Sequence, residues 1–512
     1  MDKPFVSGRR LDQVLDELSD RLDIGEQVPL DRPVYAAHSD SRRIGPNDVF
    51  IALPGIRSQG LDYLDAAFEA GALAALVPSE PKLASVHQAR CITSSNIRKD
   101  AALLACAVYR HPTQALLCFG VTGTNGKTST CHLLAHMLEH EGHRVVLVTT
   151  VAHRFEDWQE DTPNTTPDAA LLQSVLARAA NAHATAAVIE VSAHALALER
   201  VGGCRFDGVA FTNLAPDHQD FFDGMEPYFQ AKRRLFVEPE FHKQNAVAAI
   251  GCDDRYGRRL LDETRLPATG FGLQASNHKP FVDGSSLAFD QQGMSSRLHV
   301  DDLEFIVRTS LTGSFNRSNL AGAVVLAHAA GVSEAALSSA LREPIHVPGR
   351  LMSVESAAPF RVIVDFAHTA SALTNLLDGL RGDTRGRLMV LFGAGGDKDP
   401  ARRQTLPQAA FERSDVSVIT LDNPRSEDPD RIIAAMVKHW QKLEQKFPAR
   451  APELHIEPDR RVAIGWLLSQ ASEGDTVVFA GKGHENTQEF ADRIVRHDDS
   501  EIARDWLNAQ GY

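Results

Sequence analysis

Apolar residues in this 512-residue chain fall into short runs and helical stripes that alternate along nearly its whole length. Over the first part, their spacing predicts an amphipathic helix at 11–22, a strand at 48–53, a helix at 63–72, a strand at 74–77 and a helix at 99–109. His111-Pro112 breaks the pattern, and a first boundary is placed there. From residue 113 the alternation becomes regular. Strands are expected at 115–119, 145–149, 186–191, 208–211 and 245–250, with helices at 131–140, 169–182, 228–236 and 318–330. Residues 268–312 read as a β-rich excursion. Val347-Pro-Gly-Arg350 marks a second boundary, after which strands at 361–365, 388–392, 416–421 and 476–480 alternate with helices such as 372–380.

Repeated strand–helix units of this kind build parallel sheets covered on both faces. The expected architecture is α/β in three domains, 1–112, 113–343 and 344–512. The central one is a P-loop-type doubly wound sheet and the last a Rossmann-like α/β domain.

The most informative stretch is Gly120-Val-Thr-Gly-Thr-Asn-Gly-Lys-Thr-Ser-Thr130, set between an apolar strand and a helical stripe. A Gly-rich turn that opens a helix with Lys-Thr offers backbone N–H groups and a helix N-terminus to a phosphate. Gly123, Thr124, Asn125, Gly126 and Ser129 belong to that cradle; Lys127 would reach the terminal phosphates, and the Thr128 hydroxyl could sit on Mg2+. Counting back from Gly126, the usual first glycine falls on Val121, with Gly120 one residue further away. An ordinary Gly-rich turn is the alternative; the strand and helix on either side favour a nucleoside triphosphate.

Composition narrows the partners. A net charge of -14 argues against nucleic acid, so an anionic substrate needs a local basic pocket. Six scattered cysteines without a CxxC pair suit buried free thiols in a reducing compartment. No run approaches membrane-spanning length and the N-terminal stretch has no apolar signal core. A monomer in the cytoplasm, acting on small molecules, is expected.

Polar residues collect at predicted strand ends, where α/β sheets bind ligands. In the central domain these are Lys127 and Thr128, Asn164-Thr-Thr166, Glu190 and His218. A carboxylate and an imidazole near a triphosphate could hold a divalent metal, although either is also common at a solvated strand end. In the last domain Asp365-Phe-Ala-His-Thr369, Gly393-Ala-Gly-Gly-Asp397, Asp422-Asn-Pro-Arg425 and Gly481-Lys-Gly-His-Glu485 each follow a strand. Any one could be a helix cap; four together argue for a binding face.

Thr122-Gly-Thr-Asn-Gly-Lys-Thr128 resembles the ATP loop of the Mur ligases, the ATP-dependent amino-acid-adding enzymes of peptidoglycan precursor synthesis. Further matches follow in the family's order. They are Asn164-Thr-Thr-Pro-Asp168, Glu190-Val-Ser-Ala-His194, Thr212-Asn-Leu214 with Asp217-His218, Ala231-Lys-Arg-Arg-Leu-Phe236, Gly349-Arg350 and the strand-end clusters after 365, 422 and 481. The pattern is most similar to members that add meso-diaminopimelate to UDP-N-acetylmuramoyl-L-Ala-D-Glu through an acyl phosphate.

The resemblance implies a role for each matching position. Lys127, Glu190, His218 and Lys232 would be catalytic; Thr128, Glu190, His218 and a carbamylated Lys232 would hold metal. Asn316, Arg350, Asp365 and His368 would contact ATP. Ser39 and Ser41 would bind the uridine diphosphate end, and Asn164, Thr165, Thr166, Ser192 and Arg200 the muramoyl-dipeptide. Arg425 would pair with the distal carboxylate of the diamino acid and Glu485 with its distal ammonium, within a pocket that includes Lys398, Asp422, Asn423, Pro424 and Gly481. No catalytic Ser or Cys is expected.

The chain departs from the family pattern at Ala370-Ser371, usually Pro-Asp, and at Lys398, usually arginine. It departs again at Leu198, usually glutamine, and at Ala215-Pro216 before Asp217. A divergent ligase acting on another acid and amine is therefore the alternative, and a nucleotide-binding switch or scaffold a third reading.

Overall fold

The computed structural model describes residues 8–512 except 56–58, 80–87, 161–163, 220, 275–279, 288, 291–292, 301–302, 310–313, 344, 346, 348 and 451. The second expected boundary falls partly on these, with residues 344 and 348 outside the described residues.

The central sheet has nine strands, in the order 158–160, 153–155, 145–148, 186–190, 117–122, 206–211, 242–251, 268–272 and 281–283. From 145–148 onward all neighbours pair in parallel; 153–160 is an antiparallel hairpin on one edge. The strands alternate their side chains between two cores. Phe119, Val121, Leu147 and Val188 face the Lys127–His140 and Ser314–Ala329 helices, while Cys118, Val146, Ala187 and Ile189 face helices Ala169–Asn181 and Met225–Val237.

From Leu117–Thr122 the chain crosses to 145–148, returns to fill 186–190, then moves to 206–211 on the opposite side. The winding direction therefore reverses beside Leu117–Thr122, and the crevice at its C-terminal end is where such sheets take ligands.

A five-stranded sheet (22–24, 91–94, 74–78, 49–51, 37–38) precedes this unit, and a six-stranded sheet follows it, ordered 352–353, 361–365, 476–480, 388–392, 416–419, 453–456. In both, only the first strand runs antiparallel to its neighbour.

Three local expectations shift. The predicted helix 11–22 is a five-residue helix, Leu11–Leu15, then a 3-10 stretch Asp16–Arg21 and the start of a strand at Leu22. The strand expected at 115–119 begins at Leu117 and continues to Thr122, and Ala115 ends a short helix begun at Pro112. The β-rich excursion divides. Ala268–Gly272 and Phe281–Asp283 extend the central sheet, while 289–290, 293–300 and 303–309 form a separate antiparallel one. Among the described residues no helix is long and apolar enough to cross a membrane. All six cysteines are buried and free.

Candidate active site

Two glycines shape the loop after Thr122. Gly123 and Gly126 have φ of 147° and 85°, and a Cβ at these positions would meet Thr212 Oγ1 at 1.8 Å and Asn319 Oδ1 at 2.1 Å. Larger residues fit neither the backbone nor the space. The turn is tied to the neighbouring strand end, since Asn125 N donates to Asn213 Oδ1 (3.1 Å) and Asn213 Nδ2 donates back to Asn125 O (3.0 Å). Lys127 opens the helix; its Nζ donates to Thr124 O at 2.8 Å and lies 3.9 Å from Glu190 Oε1.

Glu190 ends its strand fully buried and gathers the cluster. Its Oε2 accepts from Thr128 Oγ1 (2.9 Å), Thr150 N (3.0 Å) and Thr150 Oγ1 (3.1 Å). Lys232, also buried, donates to Gly123 O at 2.7 Å and sits 4.6 Å from the centre of the Tyr228 ring. Burial, then the neighbouring Lys127 charge, hold its ammonium well below the usual lysine range. His218 adopts φ 53° and stacks edge-on against His194 with centroids 4.5 Å apart. Burial pushes its imidazole down to about 4, against the opposing Asp217 carboxylate 3.4 Å away, so the ring is neutral and able to coordinate at neutral pH.

The third unit closes this crevice. Arg350 Nη2 donates to Thr128 Oγ1 at 3.2 Å and its guanidinium carbon lies 4.9 Å above the Phe366 ring. Asp365, buried, accepts from Leu351 N and Ala367 N (both 2.8 Å); burial raises its carboxyl. His368 Nδ1 lies 2.8 Å from Phe366 O, and burial lowers the ring to about 4. Together these walls enclose a cavity of about 520 Å3 that includes Thr124–Ser129, Thr165, Glu190, His218, Arg350, Asp365 and His368.

Asn316 is not on that wall. Asn319, one turn later, is, and its Nδ2 donates to Asn316 Oδ1 at 2.9 Å. Thr150, Asn213, Asp217, Asn375 and Asp378 also line the cavity without having been singled out as site residues. Asn213 and Asp217 lie inside matched motifs, a signal that could have found them.

Residues expected to hold the acid substrate lie on the adjoining side. Thr166 Oγ1 donates to Glu190 O (2.7 Å) and accepts from Ser192 N (3.0 Å), while Arg200 Nη1 donates to Thr166 O (2.8 Å). Thr165 Oγ1 lies 3.1 Å from Thr150 Oγ1, whose own proton goes to Glu190, and Asn164 directly precedes Thr165. The Ser192 hydroxyl caps helix Ala193–Ala197, so its side chain is engaged structurally. A smaller hollow of about 110 Å3 brings Ser39 together with Arg98, Asp168, Leu198 and Arg200. Ser41 begins the next 3-10 turn, Ser41–Arg43.

A second polar cluster forms where the strands of the six-stranded sheet end. Arg425, at φ 50°, donates from Nε to Glu489 Oε2 (3.0 Å) and from Nη1 to Gly396 O (2.9 Å). Pro424 precedes it. A Cβ on Gly395 would meet both Arg425 Nη1 (3.1 Å) and the Lys398 stem (3.7 Å), so both side chains pass beside the same glycine. Glu485 Oε2 accepts from Asn423 Nδ2 (2.8 Å) and from the buried Lys482 (3.2 Å), which also donates to Asn423 Oδ1 (2.9 Å) and lies 3.7 Å from Asp422. Gly481 N donates to Asp365 O at 3.0 Å, joining this pocket to the cavity.

The cavity fits a triphosphate. Asn125 Nδ2 and Arg350 Nε are buried there without a hydrogen-bond partner, two donors awaiting an acceptor. Thr128 and Glu190 present the hard oxygen ligands that Mg2+ prefers. A phosphate loop on the seam between two α/β units, with a polar pocket on either side, is the plan of a three-domain ATP-dependent ligase.

Sequence comparison agrees. The Mur ligase middle domain matches residues 121–327, the Mur ligase glutamate ligase domain 349–483, and the catalytic domain of the Mur ligase family 34–115. The chain is 36% identical over 482 residues to the UDP-N-acetylmuramoyl-L-alanyl-D-glutamate–2,6-diaminopimelate ligase of Syntrophomonas wolfei, covering 94% of this chain and 96% of that one. It is 37% identical over 485 residues to the ligase of the same name from Synechococcus elongatus, with 94% and 95% covered. A solved structure bearing that enzyme name aligns with a TM-score of 0.66 and 30% identity over 99% of this chain and 100% of the other. The chain belongs to the Mur ligase family and is an ATP-dependent ligase.

Proposed function

We propose that this ligase forms the amide bond between a free carboxylate of the D-glutamate in UDP-N-acetylmuramoyl-L-alanyl-D-glutamate and an amine of meso-diaminopimelate, a step of peptidoglycan precursor synthesis. The observation that carries the substrate choice is a continuous run of hydrogen bonds, Arg425–Gly396–Asn423–Glu485, that fixes a cation and a carboxylate in one pocket. Such a pair matches the carboxylate and ammonium at the far end of a diamino acid.

The acid's carboxylate attacks the γ-phosphorus of ATP and ADP leaves. The amine then adds to the acyl phosphate carbonyl, loses a proton and expels inorganic phosphate. The residues contribute position and charge. Lys127 and Arg350 face the phosphates, Thr166 and Arg200 hold the acid, and the Arg425 pocket orients the amine. Bound Mg2+ offsets phosphate charge; Thr128, Glu190 and His218 would hold it. Asn319 takes the nucleotide-facing place expected of Asn316. Ser39 and Ser41 would meet the uridine diphosphate end. A cytoplasmic setting fits the six free, buried cysteines, which suit a reducing compartment.

The test is phosphate release with ATP, Mg2+ and the UDP-muramoyl-dipeptide, comparing meso-diaminopimelate, L-lysine and other amines. Turnover confined to diaminopimelate is expected. Arg425→Ala should raise KM for it about 10²-fold by losing a charged hydrogen-bonded partner, with KM for ATP unchanged. Robust turnover with a different amine, unaffected by Arg425→Ala, would replace this reading with a divergent ligase.

Lys232 is proposed to be carbamylated. Carbon dioxide adds to a neutral amine, and burial beside Lys127 favours that form. The carbamate would turn a buried neutral amine into a carboxylate-like ligand near Glu190. A 13C carbamate resonance should appear in 13C-bicarbonate and vanish in Lys232→Arg; its absence from the native enzyme refutes the modification.

A further inference from the structure

The helix that begins at the phosphate cradle ends at His140, and its final turns carry His136 and His140 four residues apart on one face. That face meets the end of helix Glu334–Ala340 and the residues that follow it, just before the chain passes to the third unit. One ligand atom from each of His136, His140 and Glu343 lies within 4.8 Å of the other two.

Both rings are already oriented. His136 Nε2 is 3.2 Å from Ala340 O, and His140 Nδ1 is 3.2 Å from Ser339 Oγ. Donation from those nitrogens leaves lone pairs on His136 Nδ1 and His140 Nε2, and the latter lies 3.5 Å from Glu343 Oε2. Metal-ligating histidines are fixed in this manner, the second ring nitrogen donating to a carbonyl or hydroxyl oxygen.

From this geometry we infer that His136, His140 and Glu343 form a binding site for a divalent transition metal of the Zn2+ type. The site is separate from the ATP crevice and clamps the far end of the cradle helix to the segment leading into the third unit. Two imidazoles and a carboxylate are a zinc-type donor set with one position left for water, whereas Mg2+ favours oxygen alone. Tetrahedral ligands around Zn2+ stand about 3.3 Å apart. The three ligand atoms already lie within 4.8 Å of one another, and side-chain rotation closes the remainder, most freely at Glu343, whose side chain is 58% exposed. The His299–Glu304 pair, 3.6 Å apart, offers an exposed imidazole–carboxylate contact of the ordinary kind for comparison.

The experiment titrates Zn2+, and Co2+ for its visible d–d bands, into the full-length protein in excess Mg2+. One equivalent should bind with a tetrahedral Co2+ spectrum, and Zn2+ should raise the melting temperature. His136→Ala and His140→Ala should each weaken binding by at least about tenfold, and Ser339→Ala should weaken it less. Glu343→Gln, at an exposed side chain that leaves folding intact, should also weaken binding and remove the Zn2+-induced thermal shift. His299→Ala should change nothing. Binding unchanged across the His136, His140 and Glu343 variants, or lost only when Glu190 is replaced, overturns the inference.

Discussion

Lys127→Ala is expected to lower kcat/KM by about 10³-fold or more while leaving the melting temperature close to that of the native chain. The side chain is only 16% exposed, and its ammonium lies between Thr124 O (2.8 Å) and Glu190 Oε1 (3.9 Å), at the N-terminus of the cradle helix. Charge developing on a transferring phosphoryl group would meet this ammonium in a crevice with little competing water, where a fixed cation counts for much more than at a surface. Glu190 loses little by the substitution, because Thr128 and Thr150 still donate three hydrogen bonds to its Oε2. A collapsed cluster is therefore not the anticipated cause of the loss. Lys127→Arg should recover little, since a longer planar fork cannot occupy the same point position. Steady-state kinetics with saturating acid and amine, beside a thermal melt, decide the matter. A variant within tenfold of the native rate would remove Lys127 from the chemistry.

How much of this site was legible in the sequence depends on how local its causes are. The strand core 117–119 and the Lys127–His140 helix are written in neighbouring residues: an apolar run, glycines that alone tolerate φ of 147° and 85°, then a helical stripe. The strands 361–365, 388–392 and 476–480 were equally plain, because strands buried on both faces read as unbroken apolar runs.

Contacts made across the fold left no such trace. Arg425 is held by Glu489, and Arg350 reaches Thr128 from more than two hundred residues away. Asn316 and Asn319 share a helix and a residue type, so only packing decides that the later one lines the cavity. The helix expected at 11–22 fails for a comparable reason. Leu22–Ile24 pairs antiparallel with Cys91–Ser94, and sheet hydrogen bonds formed seventy residues along the chain end a helical pattern that looks sufficient by itself.

The second large effect concerns stability. Asp499→Asn is expected to destabilise the C-terminal unit by about 3–5 kcal/mol. Asp499 and Arg460 are both fully buried and joined by two hydrogen bonds, Nε to Oδ1 at 2.9 Å and Nη2 to Oδ2 at 2.6 Å. His497 Nε2 adds a third contact at 2.9 Å, and Arg460 Nη2 also donates to Ala480 O, at the strand end that leads into Gly481-Lys-Gly-His-Glu485. Removing the carboxylate leaves a guanidinium in an apolar interior without its counter-charge, so the cost exceeds that of the lost hydrogen bonds. A melting temperature lower by roughly 10 °C or more should result. Replacing both partners, Arg460→Met with Asp499→Leu, should restore most of the loss, since no charge is then stranded.

The acid dependence follows from the same pair. Burial alone would raise the Asp499 carboxyl, but Arg460, by charge and hydrogen bond, together with His497, holds it well below the usual range. A depressed folded value means the stabilisation is fully present above the unfolded carboxyl value of about 4 and drains away only as pH falls below it. Native and Asp499→Asn melting temperatures should therefore differ by a constant amount from pH 7 to 5 and converge in stronger acid. A gap that already narrows near pH 6 would mean that a different group carries the stability assigned here to the carboxylate.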